Sequence, residues 1–221
     1  MIMFEVRPED DTIKPRLLGA QAPESIKEAA ALLRDGMLVV FPTDTVYGIG
    51  ADCFDNQAIL NLYRAKGRPL TKGLPVLLAD LEDIGKVVSE VGSAAEELIN
   101  RFWPGPLTLI LKKRERLPLS LSPNSGIAVR IPDSDIARAL IRASGGAVAS
   151  SSANLAGQSP ALSPEEVDEA LARNIAVIID GGRVGLGRPS TVVDCREDPP
   201  FILRRGPLSP NLIFESSNNH L

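Results

Sequence analysis

Histidine is all but missing from this chain of 221 residues: the single copy is His220, one position from the end. A Ser/His/Asp or Cys/His triad is therefore excluded from the body of the fold, and any chemistry there runs without imidazole. Cysteine is equally scarce. Cys53 and Cys195 stand far apart with no CxxC spacing, which leaves a cysteine or histidine zinc site without ligands. Aromatic residues make up 4%, too few for a module that stacks bases. Acidic residues (28) outnumber basic ones (24), and the net charge of −4 gives no global attraction for phosphate backbones. Contact with nucleic acid would need a local basic patch. No window approaches the ~18 apolar residues of a membrane span, and "MIMFEVRPEDD" lacks a basic segment followed by a long apolar stretch. The expectation is a cytoplasmic protein with no membrane contact.

What is present is ordinary globular material, 44% hydrophobic and 24% charged, long enough to bury a substantial core. In "PESIKEAAALLRDG" the spacing of Ser25 and Glu28 predicts a capping box, Ile26, Ala29, Ala30 and Leu33 recur at helical period, and Gly36 supplies a stop. A β-type run, "MLVVF", follows. The alternation then repeats: helix "NQAILNLYRAKG", strand "LPVLLAD", helix "SAAEELINRF", strand "LTLILKK", strand "IAVRIP", helix "SDIARALIRASGG", strand "AVASSS", helix "SPEEVDEALARN". Three strands, "IAVIID", "STVVDC" and "FILRR", close the series. This order predicts a single α/β domain over residues 1–207 with a mixed parallel and antiparallel sheet and flanking helices, and a partly frayed tail over 208–221 in which "NLIF" could dock.

Several stretches look chemical. "FPTDTVYGIGAD", residues 41 to 52, leaves an apolar strand through Pro42 and then crowds Thr43, Asp44, Thr45 and Tyr47 together, more polar groups than a turn requires. In "YRAKGRPLTKG", Arg64 and Lys66 suit the last turn of a helix, where cations meet the negative end of the dipole, whereas Arg68 and Lys72 lie beyond Gly67 on a Pro-containing loop. They are either aimed at one anion or simply solvated. The serine run in "AVASSSANLAGQSP" either caps and fills a loop or offers Ser150, Ser152, Asn154 and Ser159 to a ligand beyond a strand end. Arg130, embedded in "IAVRIP", requires an acid or a ligand beside it. "GGRVGLGRPSTVVD" contains no GxGxxG opening a helix and reads most simply as a glycine-rich hairpin; "RFWPGPLTLIL" reads as a rigid helix-to-strand turn with Trp103 on the core.

Taken in order, "FPTDTVYGIGAD", "KGRP", "WPGPLTLIL", "AVRIPD", "SSSAN", "PSTVVD" and "LRRGP" resemble the YrdC-like threonylcarbamoyl-AMP synthase family over about residues 24 to 207. The resemblance implies a twisted mixed sheet curved around a ligand cavity. It implies a nucleotidyltransferase that joins L-threonine, bicarbonate and ATP, with Mg²⁺ on the phosphates, to give threonylcarbamoyl-adenylate and pyrophosphate. A separate threonylcarbamoyl transferase would deliver the group to tRNA, so that tRNA contact by this chain would be indirect. Residue by residue, Lys66 and Arg68 match the family's cationic pair and Ser152 and Asn154 the polar pair opposite. Thr45, Arg130 and Ser190 match threonine-side groups. Arg68, Lys72, Ser150, Ser152, Ser159 and Arg204 fall at or near nucleotide-side positions. No protein ligand for the metal is implied.

The sequence also departs from that pattern. Leu77 stands where many family members carry histidine, and Arg205 where a proline is usual. Longer relatives add a C-terminal domain and the hydrogenase-maturation relatives add zinc-finger and acylphosphatase segments, so the expectation here is a stand-alone synthase. Two rivals remain in view: a non-catalytic RNA-binding or ribosome-associated module using the basic face around Lys66, Arg68 and Lys72, and a carbamoyl-adenylate former fed by carbamoyl phosphate.

Overall fold

A sheet of eleven strands runs through the protein, described over residues 14–214 of a computed structural model. In chain order the elements are β1 (Arg16–Gly19), α1 (Pro23–Arg34), β2 (Val39–Pro42), β3 (Tyr47–Asp52), α2 (Asn56–Lys66), β4 (Val76–Leu78), β5 (Val88–Glu90), α3 (Ser93–Phe102), β6 (Leu107–Lys113), β7 (Gly126–Arg130), α4 (Asp135–Ala143), β8 (Ala147–Ser152), α5 (Glu169–Ala172), β9 (Val177–Asp180), β10 (Thr191–Asp194), β11 (Phe201–Arg204) and α6 (Pro210–Phe214). Across the sheet the order is β1-β9-β2-β3-β8-β4-β7-β6-β10-β11, with β5 added to β6. The pairs β1/β9, β2/β9, β4/β7 and β6/β10 are parallel and the remainder antiparallel, the mixed α/β architecture expected from the alternation. Among the described residues no helix is long and apolar enough to cross a membrane.

Period-two alternation divides the strands between two faces. Leu107, Leu109 and Leu111 of β6, Ile127 and Val129 of β7 and Ala147 and Ala149 of β8 point to one face, where α2 and α3 bury Ile59, Leu62, Leu98 and Ile99 against them. On the other face α1 and α4 lay Ala29, Leu33, Ala137, Leu140 and Ile141 over Val39, Phe41, Leu77, Val148, Val177 and Ile179. That second helical layer covers the β9-β2-β3-β8-β4 half and reaches no strand beyond β4. The same face of β7, β6 and β10 is left for a cavity.

Several local expectations are corrected. Ser25 does not cap α1: Pro23 takes the first helical turn, Ala22 is the N-cap without a side-chain bond, Ser25 is buried within the helix, and Glu28 pairs with Arg16 instead. The helix expected over "SPEEVDEALARN" breaks into a 3₁₀ turn (Pro164–Glu166) and α5, because Val167 is extended and the Asp168 carboxylate caps afresh by accepting from the amides of Ala170 and Leu171. "YGIGAD", absent from the strands expected from the alternation, is strand β3. "GGRVGLGRPS" is not a hairpin, since β9 and β10 lie at opposite ends of the sheet. It is a loop pinned by bonds from the Val184 amide to the Leu162 carbonyl and from the Gly187 amide to the Thr45 carbonyl. In the tail, "NLIF" docks as its apolar residues allowed, through α6: Ile213 is buried in the main core and Arg101 donates to the Leu212 carbonyl at 2.6 Å. Residues 1–13 and 215–221, including the polar end of the tail and His220, lie outside the described residues.

One tie within this frame is electrostatically costly. Lys66, the last residue of α2, is 3% exposed, and its ammonium donates to the carbonyls of Ser152 and, at 2.6 Å, Asn154, while its own carbonyl accepts from the Ala156 amide at 3.0 Å. The residue thus fixes the chain leaving β8, but among the described residues no carboxylate pairs with it. Burial, and then the Arg68 charge, push the ammonium down from 10.5 to about 8. Between these values the unfolded chain holds a proton that the native protein has shed, so stability rises with pH across that window. The penalty is full below pH 8 and gone above 10.5, on the order of 3 kcal/mol in all. Urea unfolding at pH 7.5 and pH 10 should show this gain in the wild type and a flatter dependence in Lys66→Met; equal slopes in the two proteins would assign the titration to another group.

Candidate active site

A cavity of about 290 Å³ occupies the uncovered half of the sheet face. Its floor consists of the residues that alternate with core positions: Thr108 between Leu107 and Leu109, Ala128 and Arg130 either side of Val129, and Val192 before Val193, joined by Leu77 and Ser150 from the covered side. The register places Ala128 beside Ile110 and Leu77 beside Arg130. Thr43, Thr45, Val46 and Gly48 form one wall, Arg68, Gly73 and Pro75 another, and Ser151, Ser152, Pro189, Ser190 and Arg204 complete the rim.

Arg130 is the centre of the arrangement. At 5% exposure it donates from Nε to the Gly105 carbonyl at 2.8 Å, from Nη1 to Thr45 Oγ1 at 3.0 Å, and from Nη2 to the Asp44 carboxylate. The structural alternative raised by its sequence context is therefore real: the arginine has an acid beside it. Burial presses its pKa down and Asp44 opposes that. The "WPGP" turn serves this contact. Gly105 presents its carbonyl where a Cβ would stand 2.4 Å from the Phe102 carbonyl oxygen, so only glycine fits, and Trp103 Nε1 braces the same turn by donating to the Leu107 carbonyl at 2.7 Å.

The "PTDT" turn organises itself. Thr43 Oγ1 donates to the Val46 carbonyl at 2.6 Å and accepts from the amides of Thr45 and Val46. The two threonine hydroxyls lie 3.0 Å apart. Thr45 Oγ1 accepts from Arg130 beside the cavity.

Across the floor, Ser190 Oγ lies 2.7 Å from Thr108 Oγ1, and Arg204 grips Ser190 twice, from Nε to its carbonyl at 3.0 Å and from Nη2 to its hydroxyl at 3.2 Å. Arg68 donates from Nε to the Lys72 carbonyl at 3.0 Å and from Nη2 to the Gly73 carbonyl at 2.8 Å. The three arginines feel one another: after burial, Arg68 is what pushes Arg204 down, and Arg204 adds to the pressure on Arg130. Among the described residues Asp44 is the one carboxylate bonded to any of them.

Thr45, Arg68, Arg130, Ser150, Ser152, Ser190 and Arg204 are thus brought together on one cavity. Lys66 and Asn154 lie just behind it, with the Asn154 amide donating to the carbonyls of Leu155 and Gln158 at 2.8 Å and its Oδ1 buried without a partner. Lys72 and Ser159 are exposed and do not line the cavity. The sequence reading missed Thr108, Ala128 and Val192, whose signal was only their alternation with core leucines and valines. A second hollow of about 350 Å³, lined by Lys14, Pro15, Pro164, Glu165, Glu169, Ala172 and Arg173, gathers none of the predicted residues and no buried polar group.

Comparison with known proteins bears on this geometry. The profile of the Sua5_yciO_yrdC family, described as "Telomere recombination", matches residues 31–206. The chain is 42% identical over 193 residues to the threonylcarbamoyl-AMP synthase of Bacillus subtilis, covering 85% of this chain and 55% of that protein. It is 34% identical over 175 residues to the threonylcarbamoyl-AMP synthase of Chromohalobacter salexigens, covering 79% and 94%. Among solved structures, Pyrococcus abyssi Sua5 complexed with L-threonine superposes with a TM-score of 0.86 at 39% identity, over 90% of this chain and 59% of that one. Escherichia coli YciO superposes with a TM-score of 0.78 at 29% identity, over 88% and 96%. The chain spans about half the length of the first two curated relatives it matches. With its profile match running from α1 to the end of β11 and its fold shared with these structures, the chain belongs to the Sua5/YciO/YrdC family.

Proposed function

We propose that the chain is an L-threonylcarbamoyladenylate synthase, forming threonylcarbamoyl-AMP and pyrophosphate from L-threonine, bicarbonate and ATP for the modification of tRNA by a partner transferase. The observation that carries this reading is the convergence of Arg130, Arg204 and Arg68 on one hydroxyl-lined cavity with a single carboxylate bonded to them. Three mutually repelling guanidiniums in a concave site favour ligands of high negative charge. A nucleoside triphosphate beside an amino acid carboxylate and bicarbonate is such a set. The relative from Pyrococcus abyssi, solved with L-threonine, supports the amino acid assignment.

The threonine amine and bicarbonate condense to a carbamate with loss of water. A carbamate oxygen then forms a bond to the α-phosphorus as the bond to the pyrophosphate oxygen breaks, and pyrophosphate leaves with the electron pair. Arg130 and the Thr45 hydroxyl serve the threonine end, with Ser190 held ready by Arg204. Arg68, Arg204, Ser150 and Ser152 serve the phosphates. Preorganised donors of this kind stabilise the charge that grows on the phosphate oxygens, typically by ~2–4 kcal/mol each. Among the described residues no carboxylate lines the cavity, so a Mg²⁺ ion would come with the phosphates of ATP rather than be held by the protein, and would neutralise their charge. Lys66 acts behind the surface, holding the Ser152–Asn154 segment in place.

A coupled pyrophosphate assay with each component omitted tests the reading directly: release should require threonine, bicarbonate and ATP together. Turnover that persists without threonine, or that runs on carbamoyl phosphate in place of bicarbonate, would overturn it. Arg68→Ala should lower turnover tens- to thousands-fold, corresponding to ~2–4 kcal/mol, with an unchanged melting temperature, because its side chain fills no core. A fully active variant would move the phosphate site elsewhere.

The threonine end requires a gentler probe. Arg130→Ala would leave Asp44 buried and unpaired, a loss of about 3–5 kcal/mol in stability that would obscure any binding defect. Thr45→Ala should instead raise the threonine KM about two- to tenfold with little change in the ATP KM, the effect of one neutral hydrogen bond. Arg130→Lys, which keeps the charge and loses the fork, should weaken threonine further. If the ATP KM moves and the threonine KM does not, the two ends have been assigned in reverse.

A further inference from the structure

Tyr63, on the face of α2 turned to the main core, is 3% exposed, and its ring packs within that core. A buried tyrosine needs one partner for its hydroxyl, and most find any convenient carbonyl. This one donates to the Lys72 carbonyl at 3.1 Å, the same oxygen that accepts from Arg68 Nε at 3.0 Å. The backbone of Tyr63 is engaged as well. α2 ends in Gly67 at φ +59°, a left-handed conformation that favours glycine, and the Gly67 amide donates to the Arg64 carbonyl while the Arg68 amide donates to the Tyr63 carbonyl, closing a Schellman turn.

Tyr63 therefore holds both ends of the segment 67–72: its carbonyl takes the amide at the start and its hydroxyl takes the carbonyl at the finish. Between them the loop also closes on itself through the Lys72 amide and the Pro69 carbonyl at 3.1 Å. The Lys72 and Gly73 carbonyls grip the Nε and Nη2 edge of the Arg68 guanidinium, which also meets the Tyr63 hydroxyl directly, and leave the Nη1 edge at the cavity wall. The direction of that edge is set by where the Lys72 carbonyl stands, and the Tyr63 hydroxyl is its link to the rigid body of the protein.

We propose that Tyr63 is a positioning residue for Arg68, acting through the Lys72 carbonyl to fix the phosphate-binding edge of the guanidinium without touching substrate. The inference rests on the synthase reading for its catalytic consequence but not for its geometry. Tyr63→Phe keeps the ring in its core site and removes only the hydroxyl. It should lower pyrophosphate formation about three- to tenfold, the fold-change of a single hydrogen bond, and raise the ATP KM while leaving the threonine KM unchanged. In an Arg68→Ala background the same substitution should change turnover less than twofold, because the side chain it positions is gone. A merely structural tyrosine would cost the same in both backgrounds, and that result, or full activity of Tyr63→Phe, would overturn the proposal. A readout independent of catalysis is hydrogen exchange of the Arg68 Nε–H followed by NMR: slow in the wild type and at least several-fold faster in Tyr63→Phe. If the wild type releases no pyrophosphate, the synthase reading fails, and the exchange rates still decide the positioning role, unchanged exchange refuting it.

Discussion

The site depends on one buried guanidinium and the acid beside it. Arg130 lies inside a strand whose other side is core, so its charge must be answered from within, and the answers come from two segments besides its own: Gly105 from the turn before β6, and Thr45 and Asp44 from the turn before β3. Burying an ion pair is seldom a net gain in stability, but losing one partner is expensive. The three segments are thus locked in register by a contact that the fold alone would not require. Asp44 Oδ2 is buried without a partner, so this acid satisfies the arginine more fully than the arginine satisfies it.

The second constraint is the half-covered sheet. α1 and α4 bury small residues, Ala29, Ala30 and Ala137, which bring both helices close to the strands over β9, β2, β3, β8 and β4. Beyond β4 the same face carries Arg130, Thr108 and Ser190, residues that an apolar helix face could not cover without stranding their polar groups. Lack of a helix there and polarity there are two expressions of the same pattern. The floor accordingly sits where a ligand can replace the missing layer.

Much of this was legible in the sequence, for identifiable reasons. Long segments with an uninterrupted period, such as α2, α3, α4 and β6, announce themselves, and the alternating order implies the mixed sheet. Charged or hydroxyl residues set in apolar runs, Arg130 and Ser150 among them, stand out because an interior position penalises them. Legibility failed where tertiary contacts outweighed local signals. Pro23 displaced the Ser25 cap, Asp168 restarted a helix that composition would continue, and β3 is missing from the expected strands because its glycines suit strand packing that only the folded sheet reveals. Ala128 and Val192 are ordinary strand residues until the missing helix makes them floor. Lys66 had a site assignment from resemblance, whereas its ammonium lies behind the cavity on two carbonyls; the identity of its neighbours could not be read from spacing.

The alternation of the floor strands has an evolutionary corollary. In β6, β7 and β10 successive letters of the chain belong to different tasks, with Leu107, Leu109, Val129 and Val193 holding the core and Thr108, Ala128, Arg130 and Val192 facing the cavity. A substitution at one set need not disturb packing on the other. Ligand preference can therefore drift along these strands while the scaffold stays as it is.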